Sequence, residues 1–341
     1  MLYIVLTTPV CNLTCRYCGG SLHGMPDVIT YDKRTLFELI SKDEGSVVAF
    51  YGGEPLIQSD IVKDFLEYLP AKHFVINTNG YYIKDIKDEL GLFDSILLSI
   101  DGRKEVTDFY REKGCYDHVM DAVDLIKKSS FSGELIARMA VSYKSDIFED
   151  VIHLLGIFPY VHWQVDAVWS ALWDLSEFKV WVEESYKPGL QRLVSWWISE
   201  IRKGELPGIV PFLGIMSRLL HGGSGLPCQA GDKACAITTD GKILACPIAP
   251  DFSWNDLGTI SEGFQRIYVD EPCPSCDVYD ICGGRCLFAN KERLWGDDGF
   301  EVLCDMTRSL IQELKSYVSV CESVKDAIVY PPYNNTTEII P

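Results

Sequence analysis

The sequence is short of basic charge. Thirty-one lysines and arginines stand against 49 acidic residues, a net charge of −18, and no Lys/Arg-rich block stands out. That excludes a footprint for a phosphate backbone, and nucleic acid with it. No basic segment leads into an apolar run at the N-terminus, and no stretch of about 18 apolar residues occurs, so neither a secretion signal nor a membrane span is expected. Internal repeats are absent as well. A soluble cytoplasmic protein is the reading these absences leave. With 47% hydrophobic residues among 341, the chain can bury a sizeable core and is not globally disordered.

What the sequence has in quantity is cysteine, thirteen in all. In a reducing compartment these serve more readily as metal ligands than as disulfides. Three lie in CNLTCRYC (Cys11, Cys15, Cys18) and eight between Cys228 and Cys304; Cys115 and Cys321 stand apart and read as ordinary thiols.

Short apolar runs at Tyr3–Thr7, Val47–Tyr51, His73–Asn77, Ser95–Ile100, Leu135–Ser142 and His162–Val168 alternate with amphipathic segments near 32–41, 59–69, 83–91, 116–129 and 146–156. Successive β-then-α units imply parallel strands with crossover helices. Six of them suit a partial (β/α)6 TIM-like barrel, an α/β fold whose chemistry gathers at the C-terminal strand ends. Those ends carry CNLTCRYC, GGEP (Gly52, Gly53, Glu54, Pro55), TNG with Asn79, and SIDG with Ser99 and Asp101. Residues 171–203 read as one or two long helices whose tryptophans pack onto the barrel or line a groove. The expected organisation is a barrel over 1–225 (helical segment 171–220), a cysteine-rich domain with a C-terminal helix over 226–327, and a loosely ordered tail over 328–341.

Three thiolates within C-x3-C-x2-C are one short of a closed tetrahedral site or of a fully ligated cube of four irons. Either a fourth ligand such as His23 completes a structural zinc site, or one iron of a cube stays open to a small molecule. With Tyr17 before its last cysteine, the loop resembles the signature of radical S-adenosylmethionine (radical SAM) enzymes. The resemblance implies that S-adenosylmethionine takes the open iron and is reductively cleaved to a 5′-deoxyadenosyl radical that abstracts hydrogen. It also implies that GGEP receives the methionine amino group and that Ser99 and Asp101 contact the ribose and methionine parts. Arg111 in DFYR holds the carboxylate, a task suited to a guanidinium, Tyr17 contacts the adenine side, and Gln164 lies near it. Asp101, Gln164 and Arg138 equally fit a structural role as strand caps.

Cys273, Cys276, Cys282 and Cys286 read C-x2-C-x5-C-x3-C, with Cys228, Gly241 and Cys246 upstream and Cys304 downstream. This order resembles the SPASM extension of radical SAM enzymes and implies two auxiliary [4Fe-4S] clusters, three clusters in all. One auxiliary cluster is expected on Cys273, Cys276, Cys282 and Cys304. The other falls to Cys228, Cys246 and Cys286, with Cys235 as its fourth ligand; if Cys235 is only a core thiol opening a strand, that cluster has an open iron.

Members with this extension mostly modify peptides or proteins, by crosslinking or oxidation. The phrases FYGGEP, TDFYR, ARMAV, HWQVD and DGKILACP look like a small archaeal peptide-modifying family of this kind. A peptide or protein substrate and a low-potential donor of the flavodoxin or ferredoxin type are therefore expected. Alternatives are a sulfatase-maturing (formylglycine-forming) enzyme, disfavoured by Pro247 where such enzymes place an aspartate, a small-molecule substrate, and a non-catalytic iron–sulfur carrier. A first strand beginning near Leu2 leaves leader-peptide recognition to a separate protein or to the barrel itself.

Overall fold

A computed structural model describes residues 1–18, 22–167, 172–293 and 295–328. Two expectations, the tail after 328 and the end of the sixth strand at Val168, fall outside the described residues. In chain order the elements are β1 (Leu2–Thr8), α1 (Lys33–Ile40), β2 (Val47–Gly52), α2 (Ser59–Tyr68), β3 (His73–Thr78), β4 (Ser95–Ser99), α3 (Lys104–Tyr110), α4 (Cys115–Lys128), β5 (Glu134–Val141), α5 (Ile147–Leu155) and β6 (Tyr160–Val165). There follow α6 (Leu175–Trp181), α7 (Lys187–Ile201), β7 (Gly208–Ile209), α8 (Val210–His221), β8 (Ala234–Ile237), β9 (Lys242–Leu244), β10 (Asp256–Thr259), β11 (Gly263–Phe264), α9 (Tyr279–Cys282), α10 (Leu287–Glu292) and α11 (Gly296–Lys315). The fold is mixed α/β with parallel strands, the partial TIM-like barrel the alternating pattern predicts.

The chain packs as two compact units: residues 1–99, 111–135 and 229–268 form one, and the remainder the other. In the first, β8, β1, β2, β3 and β4 pair in parallel, neighbour to neighbour. The antiparallel run β9, β10, β11 continues from β8. In the second unit β5, β6 and β7 are parallel. Strands of a parallel sheet are covered on both faces and so read as unbroken apolar runs; Ile96, Leu97 and Leu98 of β4 are accordingly buried. Helix starts follow side-chain chemistry. Asp32 accepts from the Arg34 N–H ahead of α1 and Asp146 from the Phe148 and Glu149 N–H groups ahead of α5, each satisfying donors that an uncapped first turn leaves bare.

Two segments depart from expectation. Residues 83–91 form two short 3-10 turns, Ile83–Ile86 and Leu90–Leu92, not an α-helix. Their buried apolar residues Ile83, Ile86 and Leu90 are spaced three and four apart, a repeat that a 3-10 turn meets as well as an α-turn. Helix α3 sits where no helix is predicted, opening after Gly102. Within 171–203, of which 172–203 are described, the helical reading is met by α6 and α7, joined through a π-helical turn, Val182–Tyr186. Trp173, Trp181 and Trp197 are buried there: Trp173 donates to the Asp166 carbonyl and Trp197 to that of Pro207. These three are packing residues.

Candidate active site

The cysteine loop leaves the C-terminal end of β1 and is held by backbone before any side chain acts. The Gly53 N–H donates to the Thr8 carbonyl and the Glu54 N–H to that of Val10, both at 2.9 Å. A Cβ on Gly52 would lie 2.2 Å from the Thr8 oxygen, and one on Gly53 2.3 Å from that of Val10. The two glycines of GGEP thus let the strand bearing the cysteines press directly onto the end of β2.

Glu54 is 1% exposed and its carboxylate is fully engaged within the protein. One oxygen accepts from the Leu56 N–H (3.0 Å) and the Thr78 hydroxyl (2.6 Å), the other from the Asn79 N–H (2.7 Å). Asn79 in turn donates from its side-chain amide to Asn12 Oδ1 at 2.8 Å. A chain of contacts therefore runs from β2 through the TNG turn into the cysteine loop. Asn79 thus acts here on the loop. Asn12 lies within CNLTCRYC and Thr78 within TNG, yet sequence reasoning assigned neither a role of its own; only the fold brings 12, 54 and 78 together.

Burial pushes the Glu54 carboxyl up from 4.5 to about 7, against the pull of the Asn79, Thr78 and Leu56 donors. The folded chain therefore holds this proton between about pH 4.5 and 7, where the unfolded chain has released it. The stability from this group is complete below the lower value and falls as pH rises to the upper one. Glu54→Gln is expected to flatten that slope. It should also destabilise the fold by about 1–3 kcal/mol, because its amide nitrogen would confront a buried donor. Denaturant unfolding across this pH range reads both effects.

Within the loop the Cys18 N–H donates to the Cys15 carbonyl at 3.0 Å, and the Leu13 N–H points at Cys11 Sγ at 3.5 Å. Burial raises the Cys11 thiol, the Leu13 N–H lowers it, and the nearby Glu54 and Cys18 raise it further. The Arg111 guanidinium carbon lies 5.7 Å from the centre of the Tyr17 ring, within cation–π range. Two residues of the predicted site are thereby joined. His23 Nε2 faces the Asp251 carboxylate at 2.6 Å. Ser99 ends β4, half-buried.

In the second unit, Asp101 is buried and accepts from the Ala140 N–H of β5 at 2.9 Å, the strand-capping role that the sequence left open. The β5–β6 register sets Arg138 beside His162 and Ala140 beside Gln164. Paired residues of adjacent strands share a face, so Arg138, His162 and Gln164 form a polar column. At its end the Ser142 hydroxyl donates to Asp166 at 2.8 Å. Arg138 donates to the Gln164 side-chain oxygen. The reverse face is apolar: Trp163 is buried, donates to the Tyr186 hydroxyl and packs on Phe212.

Also in this unit, Cys273, Cys276, Cys282 and Cys304 line a single cavity with Arg285 and Arg308. Burial raises the Cys282 thiol to about 11 and lifts those of Cys273 and Cys304 as well. To ligate a metal these thiols must lose their protons, so metal uptake here releases protons. Cys286 is the buried N-cap of α10, and Cys228 is half-buried. In the first unit, the backbone N–H and carbonyl of Cys246 are both bound by the Asn255 side chain, each at 2.8 Å. Cys235 is a core residue of β8, opposite Tyr3 of β1. It alternates with Ala236, which packs with Leu6 and Leu244 on the other face, and burial pushes its thiol up to about 12.

Residues 5–155 match the family model of the radical SAM superfamily. The mycofactocin maturase MftC of Mycolicibacterium smegmatis is 26% identical over 319 residues, covering 83% of this chain and 76% of that protein. The structure of native anSMEcpe with bound AdoMet aligns with a TM-score of 0.71 at 18% identity, over 96% of this chain and all (100%) of that one. Streptococcus suis SuiB bound to its precursor peptide SuiA aligns with a TM-score of 0.56 at 15% identity, over 86% and 73% of the two chains. At these identities the two structures share the fold.

Proposed function

We propose, from the premise that this chain is a radical SAM enzyme, that it modifies a peptide or protein substrate. The observation carrying the substrate class is the kinship with the mycofactocin maturase MftC along 83% of the chain, reaching beyond the barrel into the second cysteine region. The fold shared with SuiB, a protein seen with a precursor peptide, supports the same reading.

The donor set at the N-terminal loop fits an iron–sulfur cube. Thiolates are soft ligands suited to iron–sulfur chemistry, and His23, the candidate for closing a zinc site, turns its Nε2 to Asp251. Cys11, Cys15 and Cys18 would hold the cube. When bound, cube and S-adenosylmethionine supply one-electron reductive cleavage of a sulfonium bond and hydrogen-atom abstraction from the substrate. The residues of the chain position that chemistry. Glu54, Asn79 and Asn12 fix the loop, the Gly52–Gly53 backbone offers carbonyl acceptors to an ammonium group, and Arg111 with Tyr17 offers a cation for a carboxylate. Ser99, Asp101 and Gln164 lie at or near the ends of their strands, with Asp101 holding β5 in register.

Cys273, Cys276, Cys282 and Cys304 would hold a second cube, and Cys228, Cys246 and Cys286 a third. The burial of Cys235 within β8 supports leaving it out of the third set. That cluster then has one iron that no cysteine of this group closes. A low-potential electron donor of the flavodoxin or ferredoxin type, in an anaerobic cytoplasm, completes the reading.

The test is mass spectrometry of short peptides encoded beside the gene, expressed with and without this protein. A peptide lighter by two hydrogens, or by a larger defined fragment, is expected. Unchanged peptides, together with S-adenosylmethionine turnover that responds only to a small molecule, would overturn the substrate class.

A further inference from the structure

In a chain carrying 18 net negative charges, two arginines line the four-cysteine cavity of the second unit and a third bonds the carbonyl next to one of its cysteines. Arg308, on α11, donates from one Nη to Cys276 Sγ at 3.0 Å and forms an ion pair with Asp277 at 2.5 Å. Arg285 is 8% exposed, lines the cavity and stands in the left-handed region at φ 54°. That conformation is uncommon for a residue with a side chain. Arg218, on α8, donates from Nη1 to the carbonyls of Gly225 and Ile281, each at 3.0 Å, and so reaches the residue before Cys282.

A fourth donor is fixed by its surroundings. Asn290 accepts from the Asp270 N–H at 2.7 Å through Oδ1 and donates back to the Asp270 carbonyl at 2.9 Å through Nδ2. That pairing leaves the Asn290 amide only one orientation, and it aims Nδ2 at Cys273 Sγ, 3.4 Å away. Two of the four sulfurs therefore receive side-chain N–H donors, one of them charged.

Resting on the reading of this cavity as a cluster site, we propose that Arg308, with Asn290, Arg285 and Arg218, tunes the cluster toward the reduced state. A cluster gains one negative charge on accepting an electron. Hydrogen bonds to its sulfurs and nearby positive charge stabilise that form more than the oxidised one, and so raise the reduction potential. Arg308 is the positioning residue with the largest share, because it alone gives both a full charge and a direct N–H to sulfur. Asp277 opposes it by drawing the guanidinium into an ion pair.

The experiment is an anaerobic potentiometric titration, monitored by electron paramagnetic resonance, on the reconstituted full chain with dithionite as reductant. The signal is assigned by its loss in the double variant Cys276→Ala/Cys304→Ala. Arg308→Leu is expected to shift the reduction equilibrium at least about tenfold toward the oxidised form, about 59 mV for a one-electron couple, with the iron content unchanged. Arg308→Lys keeps the charge but not the planar fork, and should shift it less. Asp277→Asn should shift it the opposite way, upward. An unmoved potential in Arg308→Leu at full iron content overturns the proposal. Should that variant fail to hold its cluster, a potential that does not rise in Asp277→Asn overturns it instead. An iron content unaltered by the double cysteine variant overturns the underlying cluster assignment, a result distinct from either.

Discussion

Replacing Cys15 by alanine is expected to reduce reductive cleavage of S-adenosylmethionine to the uncatalysed background. Cys15 is the middle cysteine of the loop, and its carbonyl accepts the turn-closing bond from Cys18. Alanine keeps that backbone bond and removes only the sulfur, so the effect isolates ligation from loop shape. The remaining Cys11 and Cys18 cannot retain a cube in the orientation that exposes one iron. On anaerobic reconstitution the intact chain should take up about twelve irons, three cubes of four, and the variant about eight. Release of 5′-deoxyadenosine under dithionite, followed by liquid chromatography, reads the activity without any knowledge of the substrate. Cleavage retained in the variant would contradict the assignment of the loop. An intact-chain value near four irons would remove the two further clusters while leaving the N-terminal one in place.

Gly53→Ala should have the next largest effect, for a reason of space. The new methyl group would lie 2.3 Å from the Val10 oxygen and 2.5 Å from that of Pro9. Both are main-chain atoms, so no flexible side chain can yield. The strand ends must separate, weakening the bonds from the Gly53 and Glu54 N–H groups to the Thr8 and Val10 carbonyls and carrying Cys11 away from its neighbours. Overpacking of this kind costs about 1–3 kcal/mol. A displacement of about 1 Å at a reacting centre lowers rates about a hundredfold, and a loss of at least that size in cleavage is expected. Gly45→Ala is the matched control: its methyl would meet only the Asp43 carboxylate at 3.6 Å, and cleavage should be unchanged. Equal activity in the two variants would show that the contact between β1 and β2 does not set the loop.

Much of the barrel was legible because parallel strands advertise themselves. Val47–Phe50 and Ile96–Leu98 are apolar throughout, as a strand covered on both faces must be, and the polar residues punctuating them fall at the strand ends. The segment 83–91 was misread because apolar spacing alone does not separate two kinds of helical turn. Asp101 and Cys235 carry two compatible meanings in the sequence, and what the fold adds is their neighbours: Asp101 bonds to the Ala140 N–H of β5, and Cys235 lies opposite Tyr3 of β1. The Arg308 contact with Cys276 spans 32 residues and lies in no motif, so nothing short of the fold reveals it. The polar column of Arg138, His162 and Gln164 was half visible as alternation in ARMAV and HWQV. Its coherence needed the pairing of β5 with β6.

The chain of contacts from Glu54 through Asn79 to Asn12 has a consequence for how such a protein is stocked and restocked. None of its atoms belongs to a metal ligand, so it forms as the polypeptide folds, ahead of any iron. Oxygen damage that strips the inorganic core would leave the cradle standing. The emptied apoprotein would then need its cysteines reduced and a fresh supply of iron and sulfide, rather than resynthesis, to return to service.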